Sequence, residues 1–366
     1  MRVEAAELHR VRLPLHRPLR SAHGVEHERR VLLLRLRTDV GDGWGECSAL
    51  AAPTYLADHL DGEQHLLATQ LLPRLLTVDD VEVESLDHVL GLVGHPTSRA
   101  AVVAALLDAR LRAAGRSLAD QLGVEATAVP VGVVIGIDDV EAVVARAVTA
   151  AESGVGRIKV KIRPGHDLEP LQAVREAVGE DVELHADANG AYLPDDLGLL
   201  QLLDGLGLGL IEQPYPADRL VDSATLQREL VTPISLDEAI DSPARAVDAL
   251  ELGACRSVSC KAPRLGGIDR AVAVHDVCLD RGAGAWAGGM YESGVGRHVV
   301  LALAGLPGMT EIGDVGPTSS YLAADVVEQQ DVDEGTVRVH DAPGISPVPD
   351  PVQLDELGEA VTEFTR

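Results

Sequence analysis

The chain has 366 residues, of which 46% are hydrophobic but only 2% aromatic, and a formal net charge of −27. This length exceeds that of an ordinary single domain, so we expect one large domain and a smaller one with an aliphatic core. The negative charge disfavours nucleic acid and membrane partners, since both are bound largely through lysine and arginine. The N-terminus lacks a signal-like apolar run, no stretch is apolar enough to span a membrane, and the four cysteines show no CxxC spacing, so we expect a cytoplasmic protein.

Residues 1–125 combine strand-like and helical patterns. The turn sequence DVGDG at 39–43 separates two strand-like runs, and a helical pattern extends from 62 to 122. We therefore predict a separate α+β domain in this part of the chain.

Residues 126–316 alternate short apolar runs with helical stretches that end in glycine, which is typical of successive β/α units. We predict an α/β fold in which a (β/α)7β TIM-like barrel is capped by the N-terminal α+β domain. The tail, residues 317–366, is expected to pack back on the capping domain. The eight predicted strands cover residues 129–136, 157–162, 182–189, 208–214, 233–239, 257–263, 284–289 and 310–315.

Three carboxylates stand at the ends of consecutive predicted strands. Asp187, Glu212 and Asp237 are spaced by 25 and 25 residues, about one β/α unit each, which places them at the same height at the barrel mouth. A lone strand-end carboxylate is more often a helix cap, but three in register would repel one another without a cation. Because oxygen ligands favour a hard ion, we predict a Mg²⁺ site, with Mn²⁺ as an acceptable substitute.

Lysines extend this register on both sides. Lys161 precedes Asp187 by 26 residues, and Lys261 follows Asp237 by 24. Lys159 and Lys161 share one face of the apolar run RIKVKI, which predicts that both point into the barrel. A neighbouring ammonium and Mg²⁺ would lower the pKa of Lys161 toward that of a general base, with Lys159 as the supporting charge.

This set of groups suits abstraction of a proton α to a carboxylate, because a metal can stabilise the negative charge of the resulting enolate. Facing lysines would allow the proton to return on the opposite side, or a leaving group to depart. We expect a small-molecule carboxylate substrate, and we also expect a homo-oligomer.

Six ordered motifs lie between residues 159 and 296: KVK (159–161), DANGAY (187–192), IEQP (211–214), SLDEA (235–239), CKAPRLGG (260–267) and GGMYESGVG (288–296). Together they resemble the enolase superfamily, in particular its muconate-lactonizing-enzyme-like branch with a lysine on each side of the metal. The segment at 312–329 is similar to a tract of the o-succinylbenzoate synthase and N-succinylamino acid racemase group.

The resemblance implies that Lys161 and Lys261 are the catalytic residues. It also implies dehydration to o-succinylbenzoate, a step of menaquinone biosynthesis, together with N-succinyl- or N-acylamino acid racemase activity. Phenylalanine is common in the family at the position of His23, and serine at that of Val134. A packing role for Tyr55 and a solvated position for Glu292 are equally compatible with the sequence. The substrate-binding positions that the resemblance implies are His23, Tyr55, Val134, Asn189, Gly289, Met290 and Glu292.

Other functions remain open at this point. Muconate cycloisomerases and dipeptide epimerases belong to the same branch, although the Asp-x-Asp motif of the epimerases is absent. A Schiff-base aldolase would also use a strand-end lysine in a barrel, without a metal. A non-catalytic relative that only binds its ligand is the third alternative.

Overall fold

The N-terminal part of the protein is an antiparallel sheet covered by helices. The structure is a computed structural model that describes residues 1–21 and 24–366. Strands β1 (Val3–Ser21), β2 (Gly24–Thr38) and β3 (Gly41–Cys47) form a meander, with the predicted turn between β2 and β3. The helices that follow are α1 (Leu60–Leu66), α2 (Leu72–Leu75), α3 (Leu86–Leu90), α4 (Pro96–Ala114) and α5 (Leu118–Leu122), with a π-helical turn at Leu67–Leu71 and a 3-10 turn at Val83–Ser85.

Two glycines of β3 allow α4 to lie directly on the sheet. Gly43 and Gly45 are two residues apart and so share one face of the strand. A Cβ atom at Gly43 would lie 2.0 Å from the Ala105 carbonyl oxygen, and one at Gly45 would lie 2.1 Å from that of Ala101. Only glycine permits this close backbone approach, which places α4 against the sheet.

The larger part of the chain is a curled parallel sheet with helices on its outside. Within the described residues the sheet has seven strands in sequential order. These strands are β5 (Gly132–Ile135), β6 (Arg157–Lys161), β7 (Glu183–Asp187), β8 (Leu210–Glu212), β9 (Ile234–Leu236), β10 (Ser257–Cys260) and β11 (Gly284–Ala287), and a short strand β4 (Ala128–Pro130) precedes them.

Helices connect these strands and cover the outer face of the sheet. Ile158 and Val160 of β6 point toward the helices and are fully buried, whereas the alternate positions point inward. The helices are α6 (Val140–Glu152), α7 (Leu168–Val178), α8 (Leu197–Asp204), α9 (Leu220–Glu229), α10 (Pro243–Leu252), α11 (Ala262–Leu265), α12 (Ile268–Asp280) and α13 (Gly294–Ala304), with 3-10 turns at Pro194–Asp196 and Thr318–Ser320.

The predicted fold, a TIM-like α/β barrel with an N-terminal capping domain, is confirmed, but the eighth predicted strand is wrong. Residues 310–315 form no strand ladder, although Thr310 and Asp314 donate backbone hydrogen bonds to Ala285 and Ala287 of β11. The Gly313 carbonyl oxygen packs so close to Gly132 that a Cβ there would lie 2.3 Å away. The segment therefore lies between β11 and β5 as an irregular chain, and the regular sheet is a half-barrel.

The tail contacts both parts of the molecule. Strand β12 (Thr336–Arg338) pairs with β4, whereas α14 (Pro351–Leu357) leads into β13 (Gly358–Thr365), which pairs with β1. The domain boundaries predicted at residues 125 and 316 stay predictions. In the described part of the chain, no helix is long and apolar enough to cross a membrane.

Candidate active site

The three predicted metal ligands lie at the carboxyl ends of adjacent strands. Asp187 ends β7 and pairs in register with Glu212, which ends β8, while Asp237 follows β9 directly. All three are at most 1% exposed. Lys159 Nζ lies 2.6 Å from Glu212 Oε2 and 3.4 Å from Asp187 Oδ2, so one ammonium contacts two of these carboxylates.

The electrostatics of this group fit a bound cation. Burial and the neighbouring charge of Asp187 raise the pKa of Glu212 to about 8. Burial also acts against ionised Asp187, but Lys161 and Lys159 outweigh it and hold its pKa well below the usual range. Glu212 Oε1 is buried without a hydrogen-bond partner among the described residues. A buried carboxylate oxygen without a partner fits a divalent cation held by Asp187, Glu212 and Asp237.

The chain contains only three lysines, and all three line the same cavity. Lys161 Nζ donates hydrogen bonds to Asp187 Oδ2 at 2.8 Å and to Asn189 Oδ1 at 2.7 Å. Lys261 Nζ donates to Asp237 Oδ2 at 2.5 Å and to the Tyr55 hydroxyl at 3.1 Å. Because β6 and β10 are separated by three strands, the two lysines face each other across the carboxylates.

Without a cation beside the carboxylates, the pKa of Lys161 is raised. Burial disfavours its charged form, but Asp187 more than offsets this and raises the pKa of Lys161. The pKa of Lys261 is raised in the same way, by Asp237. Lys159 does oppose the charge on Lys161, but more weakly than Asp187 favours it. Lys161 and Lys261 each form an ion pair with a strand-end carboxylate, so the predicted lowering of the Lys161 pKa by Mg²⁺ stays a prediction.

Lys159 also contacts a carboxylate outside the three strand ends. Asp314, in the irregular segment after β11, lies 2.5 Å from Lys159 Nζ and 2.7 Å from Arg157 Nη2. The ammonium also lies 4.8 Å from the ring centre of Trp286. These contacts keep Lys159 protonated below the carboxylates, because the surrounding acids raise its pKa more than burial lowers it.

Sequence reasoning missed two charged residues at the edge of the site. Arg264, in the turn of helix after Lys261, lies 2.9 Å from Asp237 Oδ1. Glu238 accepts a hydrogen bond from Asn189 Nδ2 at 3.0 Å. Both lie inside quoted motifs, Arg264 in CKAPRLGG and Glu238 in SLDEA, so their membership of these motifs was the available signal.

A cavity of about 600 Å³ opens above these groups. It extends from the lysines to the rim formed by the capping domain. Several predicted substrate-binding residues line it, namely Tyr55, Val134, Asn189, Gly289 and Met290, and so does Tyr291, which was not predicted. His23 lies outside the described residues.

Glu292 requires a correction. It is fully buried and does not line the cavity. Its Oε2 accepts a hydrogen bond from the Met290 backbone N–H at 2.6 Å, and its Oε1 lies 3.2 Å from Arg297. Glu292 therefore supports the loop from behind, neither contacting the cavity nor lying in solvent, because the arginine compensates its buried charge.

A second group of potential metal ligands lies in the capping domain. Donor atoms of Asp58, Glu63 and His95 are mutually within 4.8 Å. Asp58 accepts hydrogen bonds from the backbone and hydroxyl of Thr97, while Glu63 contacts His95 and the Ser98 hydroxyl. Since Asp58 accepts from the Thr97 N–H in the first turn of α4 and the other bonds hold the side chains around it, we interpret the group as a helix cap.

Strand-end carboxylates flanked by facing lysines, in a barrel with an α+β cap, define an enzyme of the enolase type. Sequence profiles agree with this assignment. Residues 4–123 match the mandelate racemase / muconate lactonizing enzyme N-terminal domain, and residues 142–352 match the enolase C-terminal domain-like family. The chain belongs to the mandelate racemase/muconate lactonizing enzyme family of the enolase superfamily, which confirms the resemblance of the motifs.

Individual relatives are similar over nearly the whole chain. An N-succinylamino acid racemase from Amycolatopsis sp. is 41% identical over 362 residues, covering 98% of each chain. An o-succinylbenzoate synthase from Enterococcus faecalis is 36% identical over 349 residues, covering 94% of this chain and 95% of that protein. The crystal structure of an enolase-superfamily member from Listeria innocua has a TM-score of 0.95 at 31% identity, covering 100% of this chain and 99% of that one.

Proposed function

We propose that this enzyme removes the proton α to a substrate carboxylate, with Lys161 and Lys261 acting on opposite faces of the carbon. The observation that carries the proposal is the pairing of each lysine with a different strand-end carboxylate on opposite sides of one cavity. A base must be within hydrogen-bond reach of the proton it takes, and both ammonium groups border the same space.

Asp187, Glu212 and Asp237 would hold Mg²⁺, or Mn²⁺ in its place. The ion would supply positive charge to the substrate carboxylate as negative charge develops there. It would also compete with the lysines for these carboxylates, which favours loss of a proton from Lys161. Lys159 stays charged beside Asp314 and positions the two ligands that it contacts.

We propose o-succinylbenzoate synthesis by dehydration, as in menaquinone biosynthesis, with N-succinylamino acid racemisation as a second activity of the same site. The named relatives of both kinds support this choice. In the synthase reaction Lys161 takes the α-proton and then assists loss of the hydroxyl group, while Lys261 stays cationic. In the racemase reaction the lysines exchange protons from opposite faces.

We further propose a cytoplasmic homo-oligomer. A reducing compartment agrees with the four cysteines, which are all buried and free, and burial raises the pKa of the Cys255 thiol to about 12. Size measurement in solution by light scattering tests the oligomeric state.

Hydrogen exchange with deuterated solvent tests the two-lysine assignment. We expect wild-type enzyme with Mg²⁺ to exchange the α-proton of both enantiomers of an N-succinylamino acid. Lys161→Ala should retain exchange for one enantiomer and Lys261→Ala for the other, while racemisation and o-succinylbenzoate formation are lost in Lys161→Ala.

Arg163→Ala is the matched control, since Arg163 is exposed two residues beyond Lys161 and does not line the cavity. Its rates should equal those of the wild type. Near-native racemisation by Lys161→Ala would show that the base is misassigned. Borohydride trapping of a carbonyl substrate with full activity in EDTA would instead support an aldolase.

A further inference from the structure

An arginine of the capping domain contacts the turn of chain that follows Lys261. Arg99 lies near the N-terminus of α4 and is only 4% exposed. Its Nη1 donates hydrogen bonds to the Gly266 carbonyl oxygen at 2.6 Å and to Asp269 Oδ1 at 3.0 Å, while its Nη2 donates to Asp269 Oδ2 at 2.9 Å. A guanidinium that binds a carboxylate through two bonds fixes direction as well as distance. Helix α4 is therefore joined to the start of α12 in one defined position.

Arg99 is also held from the side of the capping domain. Asp87 of α3 accepts hydrogen bonds from Arg99 Nε at 2.5 Å and from Arg270 Nη2 at 2.8 Å. Asp87 and Asp269 together balance the buried charge of Arg99, which would be unfavourable without partners. Because the guanidinium is planar and bonded on two sides, its orientation is fixed. Arg99 thus sets the distance between the capping domain and the turn.

The turn that Arg99 contacts, residues 261–267, begins at Lys261. The Lys261 carbonyl oxygen accepts a hydrogen bond from the Leu265 N–H at 2.9 Å, and that of Ala262 accepts one from the Gly266 N–H at 3.1 Å. Gly266 has a φ of 95°, a left-handed conformation that ends the turn of helix. Since closely packed interiors transmit small shifts, a displacement of Gly266 also displaces Lys261.

The two facing lysines differ in their link to the capping domain. The ammonium of Lys261 donates to the Tyr55 hydroxyl, so the capping domain reaches this lysine both directly and through the turn. Lys161 donates to Asp187 and Asn189, which both belong to the barrel. A change in the contact between cap and barrel should therefore disturb Lys261 more than Lys161.

We propose that Arg99 is a positioning residue for Lys261, which makes proton transfer on one face of the substrate depend on the seating of the capping domain. The inference rests on the proposed function, in which each lysine exchanges a proton on its own face. Arg99 does not line the cavity, so it acts through the turn and not on the substrate. Proton transfer depends steeply on the position of the base, since a displacement of about 1 Å can cost about a hundredfold in rate.

Exchange measured separately for two enantiomers tests the proposal. The substrates are the enantiomers of one N-succinylamino acid in deuterated solvent, and the Lys261 enantiomer is the one whose exchange Lys261→Ala abolishes. We expect Arg99→Gln to lower kcat for the Lys261 enantiomer about tenfold, which is part of the cost of a displacement of about 1 Å. The kcat for the other enantiomer and both KM values should equal those of the wild type, because Arg99 does not line the cavity.

Two further variants separate positioning from folding. Arg99→Lys keeps a positive charge beside Asp269, so it should restore part of the exchange that Arg99→Gln loses. Asp269→Asn keeps the shape of the side chain and weakens the same contact from the barrel. It should shift the ratio of the two kcat values in the same direction, and it provides the test should Arg99→Gln fail to fold.

Arg112→Gln is the matched control. Arg112 lies on the same helix and also bonds one carboxylate and one carbonyl group, since it donates to Asp108 Oδ2 at 2.8 Å and to the Ser346 carbonyl oxygen at 2.7 Å. These contacts lead to the tail and not to the turn at 261–267. The ratio of kcat values for the two enantiomers should therefore equal that of the wild type.

The outcomes distinguish this inference from the proposed function. An unchanged ratio in Arg99→Gln, or an equal loss for both enantiomers, would overturn the role of Arg99 and leave the assignment of the two lysines in place. A shift in Arg112→Gln as large as that in Arg99→Gln would also overturn it. Absence of exchange of either enantiomer by the wild type would overturn the proposed function itself.

Discussion

Each lysine of this chain forms an ion pair with a carboxylate of the site. Lys161 contacts Asp187, Lys261 contacts Asp237, and Lys159 contacts Glu212. Buried charges are stable only when paired, so the lysines neutralise carboxylates that repel one another. The pairs would be exchanged for metal contacts when a cation binds.

Tyr55 connects the capping domain to this network. Its hydroxyl donates to Asp237 Oδ2 at 2.9 Å and accepts from Lys261 at 3.1 Å. We expect Tyr55→Phe to lower kcat/KM for racemisation about tenfold, because it removes a charge-assisted hydrogen bond worth about 1.5 kcal/mol. Steady-state kinetics measure this, and an unaltered circular dichroism spectrum shows that the fold is intact. An unchanged kcat/KM would mean that Tyr55 only packs.

Two of the proposed metal ligands, Glu212 and Asp187, should respond to neutralisation in opposite ways. The pKa of Glu212 is raised, so its ionised form is unfavourable in the folded protein, whereas the pKa of Asp187 is lowered. In EDTA at pH 8, Glu212→Gln should therefore raise the melting temperature and Asp187→Asn should lower it. Both variants should lose the increase that Mg²⁺ gives the wild type. Scanning calorimetry checks this, and shifts of equal sign in EDTA would refute it.

At the scale of elements, a carboxylate of the capping domain holds the start of a barrel helix. Glu46, the second-last residue of β3, accepts hydrogen bonds from the backbone and hydroxyl of Ser293 and from the Gly296 N–H, at the first turn of α13. Glu292 precedes that turn and supports the Met290 loop. The capping domain therefore supports the cavity wall through a helix N-terminus, where negative charge is favourable.

The stability that Glu46 contributes to the folded protein should depend on pH. Burial, and the charge of Glu292, raise the pKa of Glu46 from 4.5 to about 7. Between these values the folded protein binds more protons, so this group stabilises the protein less as pH rises. Urea unfolding gives the free energy of unfolding of the wild type and of Glu46→Gln. The value for the wild type minus that for the variant should fall by about 2 to 3 kcal/mol from pH 5 to pH 8. Glu4→Gln is the control, because Glu4 is exposed, and its free energy of unfolding should change with pH as that of the wild type does. A difference between the wild type and Glu46→Gln that does not change with pH would contradict the role assigned to Glu46.

At the scale of the whole molecule, the net charge of −27 is carried largely by exposed carboxylates. Like charges on one surface repel, and mobile ions screen that repulsion within about 10 Å. The lysines do not relieve it, because all three are in the cavity.

Salt should therefore stabilise the protein. We expect the melting temperature at pH 7.5 to rise by about 2 °C between 50 and 500 mM NaCl, which corresponds to roughly 1 kcal/mol. The rise should be smaller at pH 5.5, closer to the isoelectric point of about 4.7. Differential scanning fluorimetry in buffers of both pH values measures it. A decrease with salt would show that surface ion pairs dominate over the net charge.

Much of the site could be predicted because the strands recur at a constant interval. The register puts Lys161 opposite Asp187 and Asp187 opposite Glu212, as the equal spacing required. The eighth strand could not be predicted in the same way, since an apolar run does not reveal that residues 310–315 lack a ladder of backbone hydrogen bonds. The pKa of Lys161 also depends on the 2.8 Å contact with Asp187, which spacing alone does not provide.

The sequence by itself determined the barrel, its cap and the alignment of lysines and carboxylates, because side-chain alternation and constant β/α length are properties of the chain. Only the tertiary structure decided what reaches the site from far away. Tyr55 and Lys261 are 206 residues apart, and Glu46 and Ser293 are 247 apart. Contacts of this kind arise from the packing of the two domains, which no local pattern encodes.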